Sequence, residues 1–162
     1  MKTIIFDLDH TVICSAHRQS TLPCGSLDLA HWIENNTPAK IMRDSLLPLA
    51  TQWQLLSKRK SRPALVVCTA RVMQSSDYLF LHKHGLKADA VLSRPHGDRT
   101  ADHLLKERLL RDYAARKSLS WGLFVNNAFM FDDNQNVINH LGGLGLSVHD
   151  AVKVNKMLAA SL

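Results

Sequence analysis

Two aspartates two positions apart, Asp7 and Asp9, follow the apolar run Ile4-Ile5-Phe6, and a hydroxyl, Thr11, comes two positions later. In an extended chain residues i and i+2 point the same way, so both carboxylates can face one pocket. Like charges in one pocket repel unless a cation sits between them or one of them keeps a proton. A divalent metal with oxygen ligands is the simplest compensation. A second acidic pair, Asp132-Asp133, closes another apolar run; Thr69 and Arg71 follow a third, Arg94 follows a fourth, and Lys106 lies beyond it. Carboxylates can hold magnesium, while cations and a hydroxyl can hold a phosphate. Together they amount to the equipment of phosphoryl transfer through an aspartyl-phosphate.

The elements that must position these residues read as strands alternating with helices. Strands are predicted at Ile4 to Leu8, Ala64 to Cys68, Ala90 to Leu92, Ala128 to Phe131 and Gly145 to Val148. Asp44 or Ser45 is expected to cap a helix with Leu46, Leu49, Trp53 and Leu56 on its apolar face. Pro48 then has to lie in that helix's first turn. Further helices are predicted at Ser76 to His84, ending at Gly85, from a Thr100 cap to Arg116, and at Gln135 to Leu141. Alternation of this kind implies an α/β fold: a Rossmann-like, doubly wound parallel sheet covered on both faces. Such sheets carry their sites at the carboxyl ends of the strands, where the polar residues above fall.

The chain has 162 residues, enough for one domain with a substantial core, and a short irregular insert is expected at about 12–43. No window is apolar enough for a membrane span and no secretory leader is apparent, so no membrane partner and a cytoplasmic location are expected. Cys14, Cys24 and Cys68 have no metal-ligand spacing and read as free thiols. The net charge of +6 favours an anionic partner without naming one. Lys58 to Arg62 reads as a solvated basic turn, the nine histidines as scattered, and Trp32 and Trp53 as packing residues.

The motifs, taken in order, resemble those of the haloacid dehalogenase (HAD) superfamily of phosphatases. Asp7-Leu8-Asp9-His10-Thr11 looks like its first motif, Thr69 its second, Lys106 its third and Asp132-Asp133 its fourth. Finer detail is similar to the 3′-phosphatase domain of bacteriophage polynucleotide kinase: Thr69-Ala70-Arg71, Arg94 with Gly97-Asp98, Asp102 four residues before Lys106, and Arg18 eleven residues after Asp7. No Gly-x-x-x-x-Gly-Lys-Ser/Thr loop accompanies them, so a kinase half is not expected.

The resemblance implies roles. Asp7 is expected to be the nucleophile and Asp9 the acid–base group, with Thr69 and Lys106 completing the catalytic set. Mg2+ is expected on the Asp7 carboxylate, the Asp9 backbone carbonyl and Asp132, with Asp133 completing or orienting the shell. Thr11, Arg18, Arg71, Arg94 and Asp102 are expected to serve the substrate, directly or by orienting a neighbour. His10 departs from the pattern, standing where many members have glycine. The leading expectation is a polynucleotide 3′-phosphatase acting on phosphorylated nucleic-acid ends or nucleotides. The alternatives are a 5′-nucleotidase or other small-metabolite phosphatase of the superfamily, and a non-catalytic module that binds nucleic-acid ends. Nothing in the sequence sets the oligomeric state.

Overall fold

The computed structural model describes residues 2–161. Strands β1 (Thr3–Phe6), β4 (Ala64–Thr69), β5 (Ala90–Ser93), β6 (Ala128–Asp132) and β7 (Ser147–Asp150) form one sheet in the order β5-β4-β1-β6-β7. Every pairing in it is parallel. β1 is central and buried throughout, which is why its residues are apolar on both faces rather than alternating. The strand order reverses beside β1, so the crevice at its carboxyl end opens where Asp7 begins.

The connecting helices are α1 (Leu29–Glu34), α2 (Pro38–Ile41), α3 (Pro48–Ser57), α4 (Ser75–Lys83), α5 (Asp102–Arg116), α6 (Trp121–Val125), α7 (Gln135–Gly143) and α8 (Ala151–Ala160). One apolar layer gathers Phe6, Leu49, Trp53, Leu65 and Phe80 on one face of the sheet; the other gathers Ile5, Val66, Leu110, Phe124 and Leu141. Trp53 stacks on Phe6 with ring centroids 4.9 Å apart, and its indole nitrogen donates to the Lys87 carbonyl at 2.9 Å. Trp53 is therefore the packing residue its spacing implied. Gly85 ends α4 at φ +65°, a left-handed conformation that glycine reaches without a steric penalty.

Three predictions shift. Leu46 is not on the helix face: Ser45–Leu46 forms β3, antiparallel to β2 (Ile13–Cys14), and α3 begins at Pro48 with Leu47 at its cap. Helical spacing of apolar residues also fits a short strand when tertiary pairing supplies the partner. Asp44 is occupied by Arg18 rather than by a helix end. Thr100 sits two residues before α5, whose cap is Ala101. The expected irregular insert contains β2, a 3-10 turn (Ala16–Arg18), α1 and α2. α6 and α8 lie outside the predicted elements, although Ser120 and Asp150 cap them in the ordinary way.

The three cysteines are unpaired. Among the described residues no helix is long and apolar enough to cross a membrane. The Lys58 to Arg62 turn leads into the amino end of β4, so it lies at the opposite edge of the sheet from Asp7.

Candidate active site

Four side chains from two strand ends and one helix meet at the carboxyl edge of β1. Lys106, on α5 and 3% exposed, donates to Asp7 Oδ1 at 2.8 Å and to Asp132 Oδ2 at 2.6 Å. Oxygens of Asp7, Asp132 and Asp133 all lie within 4.8 Å of one another. Two carboxylates thus grip one ammonium, and a third, partly buried, lies beside them. Burial raises Asp7 to about 7, against the pull of Lys106 and with a further push from Asp132. Burial and the Asp7 charge raise Asp133 to about 6, and burial raises Asp132 as well. Lys106 is held firmly cationic, because Asp7 and Asp132 outweigh its own burial. A divalent cation on these oxygens would balance the remaining charge, and an all-oxygen donor set suits a hard ion.

Asp9 stands outside that trio. Arg71 takes both of its oxygens, Nη2 to Oδ1 at 2.6 Å and Nε to Oδ2 at 3.1 Å, and Ser15 Oγ donates to Oδ1 at 2.5 Å. Burial pushes the Asp9 carboxyl up, but the charge and hydrogen bonds of Arg71 outweigh it and leave the group below its usual range. The third arm of Arg71, Nη1, reaches Asp77 on α4 at 2.5 Å. Thr69 Oγ1 accepts the Arg71 backbone N–H at 3.2 Å, leaving its own proton to donate.

The remaining expected residues fall in three places. Arg18 is fully buried: Nε and Nη2 grip Asp44 at 2.9 and 2.7 Å, Nη1 reaches Asn36 at 2.9 Å, and Trp32 covers the guanidinium at 4.5 Å. Arg18 therefore buckles the insert together instead of facing a phosphate, and Trp32 packs on it. Arg94 gives Nε to Ala70 O, Nη1 to Asp98 O and Thr100 O, and Nη2 to Asp102 Oδ1 at 2.7 Å. It ties the 94–102 loop to the end of β4, with Asp102 orienting it. Thr11 is fully buried, and its hydroxyl has no partner among the described residues. Its carbonyl accepts from Asn155 Nδ2 at 2.9 Å, while Asn155 Oδ1 accepts the Leu49 N–H at 2.9 Å. So α8 braces the turn after Asp7, a contribution no motif signalled.

His10 occupies that turn at φ +56°. The left-handed backbone explains why glycine suits the position. Its ring Nε2 lies 2.7 Å from Gln19 Oε1.

Across residues 1–162 the chain matches the family described as bacteriophage T5 5′-deoxynucleotidase. It is 35% identical over 177 residues to the 5′-deoxynucleotidase of Escherichia phage T5, covering 98% of this chain and 70% of that protein. Among solved structures, a chain of the Pnkp1/Rnl/Hen1 complex superposes with a TM-score of 0.67 at 18% identity, over 93% of this chain and 45% of its own. This chain thus spans less than half of that protein. A haloacid dehalogenase-like hydrolase from Streptococcus pneumoniae gives a TM-score of 0.63 at 14% identity, over 96% and 90%. A HAD-superfamily hydrolase from Geobacter sulfurreducens PCA gives 0.62 at 15%, over 91% and 88%. The fold is that of the HAD hydrolases.

Proposed function

Given that this chain belongs to the bacteriophage T5 5′-deoxynucleotidase family, we propose that it removes the phosphate of 5′-deoxynucleoside monophosphates in a Mg2+-dependent reaction through an aspartyl-phosphate on Asp7. The chain is a phosphomonoesterase of the HAD type, and its residues act as one phosphatase domain. The observation that carries the mechanism is the buried convergence of Asp7, Lys106, Asp132 and Asp133 at the switch point of the sheet. Asp7, Asp132, Asp133 and the backbone carbonyl of Asp9 would hold the metal. Bound there, Mg2+ supplies positive charge that neutralises the phosphate and keeps the Asp7 carboxylate ionised.

An Asp7 oxygen attacks phosphorus, the phosphorus–oxygen bond to the sugar breaks, and the 5′ oxygen leaves with the electron pair. Asp9 gives that oxygen a proton, then takes one from the water that attacks the aspartyl-phosphate. Arg71 keeps Asp9 an anion before substrate arrives; a phosphate brought close adds negative charge and raises its proton affinity, so that Asp9 takes up from solvent the proton it then gives to the leaving oxygen, and the one it later takes from water returns to solvent. Lys106 and the Thr69 hydroxyl meet phosphoryl oxygens, where a placed donor is worth roughly 2–4 kcal/mol in the transition state.

A second reading, hydrolysis of 3′-phosphate ends, has one specific support: Arg94, Asp98 and Asp102 form one hydrogen-bonded unit beside the end of β4, at the positions where the chain resembles the phage 3′-phosphatase domain. Phosphate release from 5′-dNMPs, 3′-dNMPs and a 3′-phosphorylated oligonucleotide, with Mg2+ and with EDTA, tests both. Fast turnover of 5′-dNMPs with little from the oligonucleotide is the expected result, and the reverse order would favour the second reading.

A further inference from the structure

Beside Arg71, Asp9 is held by Ser15 and, through it, by Gln19, neither of which belongs to any of the four motifs. Ser15 Oγ donates to Asp9 Oδ1 at 2.5 Å, Gln19 Nε2 donates to Ser15 Oγ at 3.1 Å, and Gln19 Oε1 lies 2.7 Å from His10 Nε2. Chemistry fixes every direction in this chain. An ionised carboxylate only accepts, so the Ser15 proton points to Asp9 and its oxygen is free to accept. The Gln19 amide fills that acceptor with its NH2 group, which turns its oxygen to His10. The His10 Nε2 must then carry the proton.

The two oxygens of Asp9 are also made unequal. Oδ1 takes two short hydrogen bonds, from Ser15 and from Arg71 Nη2 at 2.6 Å; Oδ2 takes one longer bond, from Arg71 Nε at 3.1 Å. His10 supplies an independent sign that the bracket matters. Its φ of +56° places a non-glycine residue in the left-handed region, where a Cβ meets a steric penalty. A strained residue whose side chain closes a hydrogen-bonded chain to a reacting group points to a functional constraint.

We propose that His10, Gln19 and Ser15 form a positioning bracket that occupies Asp9 Oδ1 and leaves Oδ2 as the oxygen that exchanges the proton with the leaving group and with water. This rests on the reading of Asp9 as the acid–base group. None of the three touches the substrate phosphate in this account; they act through Asp9. The bracket also gives the insert a chemical task, since Ser15 and Gln19 flank its 3-10 turn.

The test uses two substrates that differ in their need for a proton. The alkoxide leaving from thymidine 5′-monophosphate needs one, whereas the phenolate leaving from 2,4-dinitrophenyl phosphate does not. Gln19→Met keeps the side-chain length without its amide at a half-buried position, and Ser15→Ala removes the hydroxyl. With intact melting temperatures, both are expected to lower kcat on the nucleotide by about tenfold, with KM and the first-turnover rate of dinitrophenolate release within about twofold of the parent. Asp9→Asn, run beside them, must show the same selectivity more strongly. If it does not, the assignment of Asp9 itself fails. If Asp9→Asn is selective while the bracket variants lose nothing, or lose both substrates equally, the bracket is overturned.

Discussion

Arg71 grips Asp9 through two nitrogens, at 2.6 and 3.1 Å, while its third arm holds Asp77 at 2.5 Å. One guanidinium thereby joins the end of β4, the turn after β1 and the start of α4. Its planar fork meets two carboxylates that a lysine could not hold together. Arg18 repeats the device one layer away, gripping Asp44, whose Oδ2 lies 3.8 Å from Arg71 Nη2. Asp9, the proposed acid–base group, is thus anchored in a buried network that runs into the insert.

Arg71→Lys is expected to disable the enzyme and loosen the fold together. Buried Asp77 is left short of a partner, and breaking such a pair costs about 3–5 kcal/mol. Denaturant unfolding with kcat on a 5′-dNMP checks it; parent-like stability with parent-like turnover would contradict the network's role.

Lys106→Met should cost more in turnover than any exposed arginine. Asp7 and Asp132 lose their shared cation, and the drop in kcat is expected to be about 100-fold or greater. Added Mg2+ should recover part of the melting temperature of this variant but not its activity, which thermal melts and initial rates in titrated Mg2+ would show.

Mg2+ should stabilise the protein more at alkaline than at acid pH. Asp7 at about 7 and Asp133 at about 6 hold protons more tightly folded than unfolded, where both lie near 3.8. Their contribution to stability is full below the unfolded value and is lost as pH rises through the folded values, because the unfolded chain gives up its protons first. A divalent cation must displace those protons at acid pH but meets carboxylates already bare at alkaline pH. Melts with Mg2+ and with EDTA, at about pH 5.5 and about pH 8, check this; an equal shift at both would refute it.

Asn155→Leu is expected to destabilise by about 1–3 kcal/mol, because the buried Leu49 N–H and Thr11 carbonyl both lose their partner. Turnover should fall as well, since the Thr11 carbonyl belongs to the turn that follows Asp7. Chemical denaturation and kcat measure the two effects, and an undiminished melting temperature would remove Asn155 from the account.

Much of this was legible in the chain itself. Asp7, Lys106 and Asp132-Asp133 could be placed together because each lies at or near the end of a buried apolar run, and a parallel sheet brings such ends to one edge. The parts that were not legible depend on pairing across sequence. Arg18 and Asp44 are far apart in the chain, and only the folded insert shows that the arginine is spent on a carboxylate rather than left for a phosphate. Leu46 carried helical spacing but was claimed by β2. Ser15, Gln19 and Asn155 belong to no motif, because their roles lie in single hydrogen bonds that leave no periodic mark. His10 was visible as a departure from the family pattern, but its left-handed backbone and its bond to Gln19 were not. Asp150 followed by Val154 and Leu158 at helical spacing was the available sign of α8.

The most direct test of the central claim is phosphate release from thymidine 5′-monophosphate by the parent and by Asp7→Asn in saturating Mg2+. Steady turnover by the parent and none by the variant is expected; the variant should stay folded and, without metal, melt no lower than the parent, because one of the crowded carboxylates is gone while Lys106 keeps Asp132. Turnover retained by a folded Asp7→Asn protein would contradict the claim.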